Sequence, residues 1–277
     1  MSQLLSNILV NWPTRYLSSR LYLFLVVVYS WALRALGNRS ALKSFYFGEG
    51  KDVVILKFFG GGKWQIVNPI RANRYMKGIV HAGDRLLFRY RIEMPKGMPM
   101  TFVDVGSNVG ELSYWFAIKG VFVQCFEPDP QICSILRSNL GQFSNVSIFN
   151  VALSDFDGKA RFAVQSGSAD SSLVFQGDDL DLIDVDVCRY DHHEASKILM
   201  FPALLKMDTE GNEPESLLGF GKLLSQFELV AIDAGAERLG KDTKQSTITI
   251  LTDCGLNVDA NEHSYIVVGV QKRVISL

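Results

Sequence analysis

The stretch Thr101–Gly110 (TFVDVGSNVG) limits what this chain can fold into more than any other. Thr101–Val105 reads as a short buried strand that breaks at Gly106. Gly106-Ser107-Asn108-Val109 then forms a tight turn, and a helix starts near Gly110. Glycine lets the backbone approach a ligand closely. A strand that runs through a glycine-containing turn into a helix N-terminus is a nucleotide-binding device.

The same alternation continues downstream. Strand patterns at 101–105, 121–126, 146–151, 203–207 and 228–232 are separated by helix patterns at about 111–119, 130–139 and 213–224. This predicts an α/β fold, a mostly parallel sheet with helices on both faces. A helix at 244–254 and strands at 256–259 and 265–270 complete it. Residues 161–164 and 184–188 read as added antiparallel strands around a polar loop at 165–172. Three regions follow from the pattern: residues 1–36 as an apolar helical segment, 37–100 as a substrate-side extension, and 101–277 as the nucleotide-binding domain.

The turn itself narrows the ligand. A dinucleotide fingerprint is G-x-G-x-x-G, whereas here Gly106 and Gly110 stand four residues apart without a middle glycine. Asp104 lies just before the turn, where an acid binds a positively charged amino group directly or through water. Glu127 ends the next strand, a position suited to accepting both ribose hydroxyls. Asp104, Glu127, Asp155, Asp208 and Asp233 all fall at or just past strand carboxyl ends, where open α/β sheets bind ligands. An amino-acid tail, a ribose and an adenine without phosphate fit this acidic rim, and S-adenosylmethionine is such a ligand. The alternative is a Rossmann-like nucleotide-binding protein without methyltransferase activity, regulatory or NAD-linked. The missing glycine counts against a dehydrogenase, and the retained acids count against an inactive fold.

Five motifs in register, VDVGSNVGELS, FEPDP, NVALSDFDG, SSL and LLKMDTEGNEPESLLG, together resemble the FkbM family of methyltransferases over about residues 102–224. The resemblance implies a Rossmann-like class I S-adenosylmethionine-dependent fold, a seven-stranded sheet whose last strand is antiparallel. It implies O-methylation of a sugar hydroxyl on a glycan, a glycolipid or a natural product. By position, Asp104, Gly106, Ser107, Asn108 and Gly110 would hold the methionine part, Glu127 the ribose, and Asp155 would sit near the adenine amino group. Methyl transfer to a hydroxyl is helped by a general base. Asp208 is the first candidate and Glu210 the second, with a role for Asp208 in turn capping or cofactor orientation as the competing reading. No metal is expected. A divalent cation shared by Asp208 and Asp233, which end adjacent strands, is the minor alternative. His192-His193-Glu194 reads as a surface loop rather than a metal site.

Ahead of the turn lies a basic, aromatic stretch that includes Arg71, Arg74 and Arg89. It reads either as a solvated face or as a groove for the acceptor. Residues 52–59 and 63–67 read as a hairpin closed by Gly60-Gly61-Gly62, residues 37–50 as a loop region, and 68–79 as helical or irregular. The uncharged run at 21–33 is shorter than the about 20 apolar residues of a bilayer span. It is read as a helix packed on protein, or as one lying in a membrane interface with Tyr22, Tyr29, Trp31 and flanking arginines at the headgroups. The net charge of −1 gives no general attraction to nucleic acid. The four cysteines lack C-x-x-C spacing and read as reduced, buried thiols. The expected setting is cytoplasmic, with membrane association on the cytoplasmic face as the variant that residues 21–36 allow. The expected partner is a small-molecule or glycan acceptor.

Overall fold

The computed structural model describes residues 18–49, 53–94, 97–164, 173, 181–236, 238 and 240–271. The chain divides into two compact units, residues 1–84 and 85–277. The expected loop at 165–172 lies outside the described residues.

In the first unit, α1 (Ser19–Ala35) is capped by Ser18, whose Oγ accepts from the Leu21 amide at 3.3 Å. Tyr22, Leu23, Val26, Val27 and Ser30 form its buried face. Two side chains fasten that face. Tyr22 Oη donates to the Ile70 carbonyl (3.0 Å) and Ser30 Oγ to the Met76 carbonyl (2.6 Å). The segment they hold begins with a 3₁₀ helix, Pro69–Tyr75. Beside them lies an antiparallel sheet of β1 (Leu42–Phe47), β2 (Val53–Phe58) and β3 (Lys63–Val67), in that order. The expected hairpin is β2–β3. The expected loop region at 37–50 contains a strand instead. The aromatic run Phe45-Tyr46-Phe47 pairs with Val54–Leu56 of β2 and gains cross-strand packing that outweighs the loop signals around it.

The helix α2 (Ile79–Arg89) runs across the division between the units. The second unit is built on β4 (Thr101–Val105), β5 (Phe122–Phe126), β6 (Val146–Phe149), β10 (Ala203–Met207), β11 (Leu229–Asp233), β12 (Leu256–Ala260) and β13 (Ile266–Gln271). Their order is β12-β13-β11-β10-β4-β5-β6. All neighbours are parallel except β13, which runs antiparallel to both β11 and β12. This is the mostly parallel class I arrangement with its reversed last strand. β4, β10 and β11 are buried at every position, as apolar strands covered on both faces must be. The helices are α3 (Glu111–Ala117), α4 (Pro130–Leu140), α6 (Glu213–Leu218) and α7 (Lys244–Asp253), with a one-turn α5 (Glu194–Lys197).

Chain order moves from β4 outward through β5 and β6, then returns to the other side of β4 with β10. The two directions part between β4 and β10, the switch point at which such sheets bind ligands beyond the strand ends.

Two further expectations are corrected. The strand expected at 146–151 ends at Phe149. Ala152–Leu153 (β7) leaves it to join a side sheet with β8 (Gly158–Val164) and β9 (Asp181–Cys188). The helix expected at 213–224 stops at Leu218 and resumes as a 3₁₀ helix at Gly221–Gln226. The break lies where Gly219 meets the Ser154 carbonyl. A Cβ there would stand 2.0 Å from that oxygen. Gly219→Ala should therefore cost about 2 kcal/mol or more, from steric overlap alone. The urea midpoint of the full chain measures this, and an unchanged midpoint would contradict the packing described.

Candidate active site

The turn after β4 is tied down from several sides. The amides of Gly106 and Ser107 both donate to the Phe126 carbonyl, at 3.0 and 3.1 Å, joining the ends of β4 and β5. Ser107 Oγ donates to the Asp104 carbonyl at 2.6 Å. Gly106 (φ 71°) and Gly110 (φ 93°) take left-handed backbone angles, the conformation glycine adopts without strain. A Cβ on Gly106 would meet the Asp208 carbonyl oxygen at 1.9 Å.

Glu127, just past β5, is buried at 7% exposure. Its Oε2 accepts from the Asn108 amide (2.9 Å) and its Oε1 from the Asp129 amide (3.1 Å). Burial pushes its pKa up to about 7, against the pull of these two amides. Asn150 Nδ2 reaches the Glu127 and Pro128 carbonyls, both at 2.8 Å, and holds the segment in place. The carboxylate therefore sits fixed against the turn, with lone pairs beyond those the amides use.

Beneath the turn lies an ion pair. Lys206, on β10, places Nζ 3.2 Å from Asp104 Oδ1 and 2.7 Å from the Gly106 carbonyl. Ser113 Oγ donates to Asp104 Oδ2 at 2.6 Å. Burial acts to lower the Lys206 pKa, but Asp104, with Asp208 and Glu127, outweighs it and the pKa is raised. Asp104 thus has internal partners, and the ammonium points inward at carbonyl and carboxylate oxygens.

At the ends of β10 and β11 the carboxylates of Asp208 and Asp233 are both engaged. Tyr90 Oη donates to Asp208 Oδ2 at 2.5 Å, and Arg89 pairs with Asp233. Burial, then the Asp208 charge, lifts the Tyr90 pKa well above the ordinary phenol value, so Tyr90 keeps its proton. Burial and Asp208 also raise the Asp233 pKa, against Arg89.

The loop after β10 is held by Glu213, the first residue of α6. Its Oε1 accepts from the Thr209 amide (3.1 Å), Thr209 Oγ1 (3.0 Å) and the Gly211 amide (3.0 Å), and its Oε2 from Thr243 Oγ1 (2.7 Å). That loop carries Glu210, a half-buried residue at φ 53°.

Of the residues singled out in the sequence, Asp104, Gly106, Ser107, Asn108, Gly110 and Glu127 come together at the turn. Asp208 and Asp233 stand together at the neighbouring strand ends. Asp155 is exposed on the loop after β7. Arg71 and Arg74 lie on the 3₁₀ helix of the first unit, and Arg89 at the end of α2. Among the described residues no group of three or more His, Cys, Asp or Glu is arranged to hold a metal ion. His192 is exposed and contacts Asp157, while His193 caps α5.

Three residues escaped sequence reasoning. Lys206 carried a signal, a lone cation inside the otherwise apolar strand ALLKM. Glu213 opens a helix, where an acid needs no further role, and Tyr90 has no distinguishing pattern.

The pair beneath the turn yields a prediction. Lys206→Met leaves Asp104 buried without its counter-charge and should cost about 3–5 kcal/mol at pH 8. Burial then raises the Asp104 pKa, so the variant should regain part of this loss as pH falls and the carboxyl protonates. Urea melts at pH 8 and pH 6 test both the size and the sign.

The model of the Methyltransferase FkbM domain matches residues 104–259. The 2-O-methyltransferase NoeI of Sinorhizobium fredii (strain NBRC 101917 / NGR234) is 34% identical over 71 residues, which make up 25% of this chain and 29% of that protein. The chain thus matches less than a third of this relative's length. Among solved structures, the Methanococcus jannaschii fibrillarin pre-rRNA processing protein aligns with a TM-score of 0.42 at 13% identity, covering 82% of this chain and 98% of that one. Aeropyrum pernix fibrillarin, in complex with natively bound S-adenosyl-L-methionine, aligns with a TM-score of 0.40 at 11% identity, covering 83% and 100%. Both are distant likenesses. The family match begins at Asp104 and ends on β12, over more than half of the 277 residues, and the chain belongs to the FkbM methyltransferase family.

Proposed function

We propose that this protein is an S-adenosylmethionine-dependent O-methyltransferase that acts on a sugar hydroxyl of a small molecule or glycan. The observation that carries the reading is the pairing of the Gly106–Gly110 turn with the fixed, buried Glu127. The donor set fits this cofactor. Lys206, the cation beside the turn, spends its ammonium on Asp104 and two backbone carbonyls, so it is not presented to a pyrophosphate. Glu127 is suited to accept ribose hydroxyls. Asp104 acts indirectly, by holding Lys206 under the turn. Asp155, exposed after β7, is assigned to the adenine end.

S-adenosylmethionine, when bound, supplies a sulfonium methyl group for in-line transfer to a nucleophile. The chain's part is to align the acceptor and take its proton. Asp208 is assigned as the base. Tyr90 donates to one of its oxygens and fixes the carboxylate's direction, which would leave the other oxygen to accept the proton of the acceptor hydroxyl. Glu210, on the loop that Glu213 organises, is the second candidate base. Arg89, half exposed at the rim, is assigned to the acceptor's hydroxyls. The choice of an O-linked methyl group draws on the name of the partial relative, a 2-O-methyltransferase.

Two outcomes are expected. Only the ionised Glu127 accepts both hydroxyls without a proton of its own, so cofactor affinity should rise as pH passes upward through about 7. The gain from pH 6 to pH 8 should be about tenfold. Calorimetry with S-adenosylhomocysteine should record this rise for the full chain and a loss of binding for Glu127→Ala. Asp208→Asn should keep cofactor binding within about threefold while lowering methyl transfer by about a hundredfold or more. A glycan screen with mass-spectrometric location of the new methyl ether measures this. Wild-type turnover by Asp208→Asn would remove Asp208 from the base role.

A further inference from the structure

The first unit carries a surface that the methyl-transfer chemistry does not use. With one face of α1 buried in protein, the opposite face exposes large apolar groups: Leu21 (46%), Phe24 (57%), Val28 (49%) and Trp31 (55%). Their spacing of three, four and three residues sets them in one stripe along the helix. Tyr46 and Phe47, on the edge strand β1, are also exposed. Cations border this apolar surface. The Arg20 guanidinium lies 5.7 Å from the centre of the Phe47 ring, and that of Arg34 lies 5.4 Å from the centre of the Phe59 ring. Trp31 donates its indole N–H to the Lys43 carbonyl at 2.7 Å while its ring remains exposed.

Charge singles out the same region. Residues 1–48 contain Arg15, Arg20, Arg34, Arg39 and Lys43 and no Asp or Glu. The whole chain has a net charge of −1, so the remaining residues carry −6. An acidic protein with a basic, aromatic-apolar end is complementary to an anionic surface that also accepts apolar side chains.

We infer that α1 docks this unit on an anionic lipid bilayer, lying in the plane of the interface with Leu21, Phe24, Val28 and Trp31 inserted and Arg20 and Arg34 at the headgroups. The helix does not cross. Its 17 residues rise about 25 Å, short of a hydrocarbon core of about 30 Å. No helix among the described residues is long and apolar enough to span. Its other face is also committed to protein through Tyr22 and Ser30. Apolar insertion together with attraction of basic side chains to anionic lipid is the physics of a surface-bound amphipathic helix.

The test is co-sedimentation of the full chain with vesicles of phosphatidylcholine containing about 30% phosphatidylglycerol, against phosphatidylcholine alone. Binding to the anionic vesicles should exceed that to the neutral ones by at least about tenfold and fall in high salt. Phe24→Glu with Val28→Glu should weaken it by at least about tenfold, and so should Arg20→Gln with Arg34→Gln. All four side chains are exposed, and unchanged thermal melting verifies that the variants are folded. Equal binding by either pair of variants, or no sedimentation of the wild type, overturns the inference. So does a dimer in light scattering that Phe24→Glu with Val28→Glu dissociates, because the stripe would then belong to a second copy. Methyl transfer to a soluble acceptor is measured in parallel, so a failure of the docking surface is distinguishable from a failure of the enzymatic reading.

Discussion

The site depends on one close approach, that of the Gly106 Cα to the Asp208 carbonyl across the gap between β4 and β10. No side chain fits there. The contact lies at the point where the sheet changes direction, so it sets two strand ends in register and with them the acids those ends carry. Several oxygens then converge on a small volume: the Val105 and Gly106 carbonyls and the Asp104 carboxylate. Lys206 is the counter-charge that makes this tolerable. A buried ion pair adds little net stability, because desolvating both charges offsets most of their attraction. Its contribution is to fix geometry, since the ammonium has one place where all its acceptors are in reach.

Glu127 is under the opposite tension. Burial favours its neutral form, while two backbone amides favour the charged one, and the balance leaves its pKa near neutrality. A group poised in this way gains from any ligand that donates hydrogen bonds to it. The same groups serve fold and site together. Glu127 orients the turn through Asn108, and Glu213 shapes the loop after β10 with four acceptor contacts. Tyr90 supplies the neutral donor that a carboxylate needs beside another acid, with Asp233 already matched by Arg89.

Much of this was legible in the sequence because it rests on local pattern. The turn at Gly106–Gly110, the strand ends and their acids are visible as apolar runs stopped by glycine and acid, and the mostly parallel sheet with helices on both faces follows from βα alternation. What escaped depends on contacts distant in sequence. Lys206 is read by its partner Asp104, 102 positions earlier, and Tyr90 by Asp208, 118 positions later. The break after Leu218 is set by a carbonyl on another loop, at Ser154. The strand β1 was hidden because its aromatic run lies between glycines and is stabilised by a neighbour, not by its own periodicity. The exposed stripe of α1 shares one apolar run with the buried face, and composition alone does not separate the two.

The central claim is that the turn and Glu127 form a sulfonium-nucleoside site and not a dinucleotide site. Titration calorimetry of the full chain with S-adenosylmethionine and, separately, with NAD tests it most directly. The account predicts saturable binding of S-adenosylmethionine at pH 8 and no measurable heat with NAD. Binding of NAD without S-adenosylmethionine would contradict it.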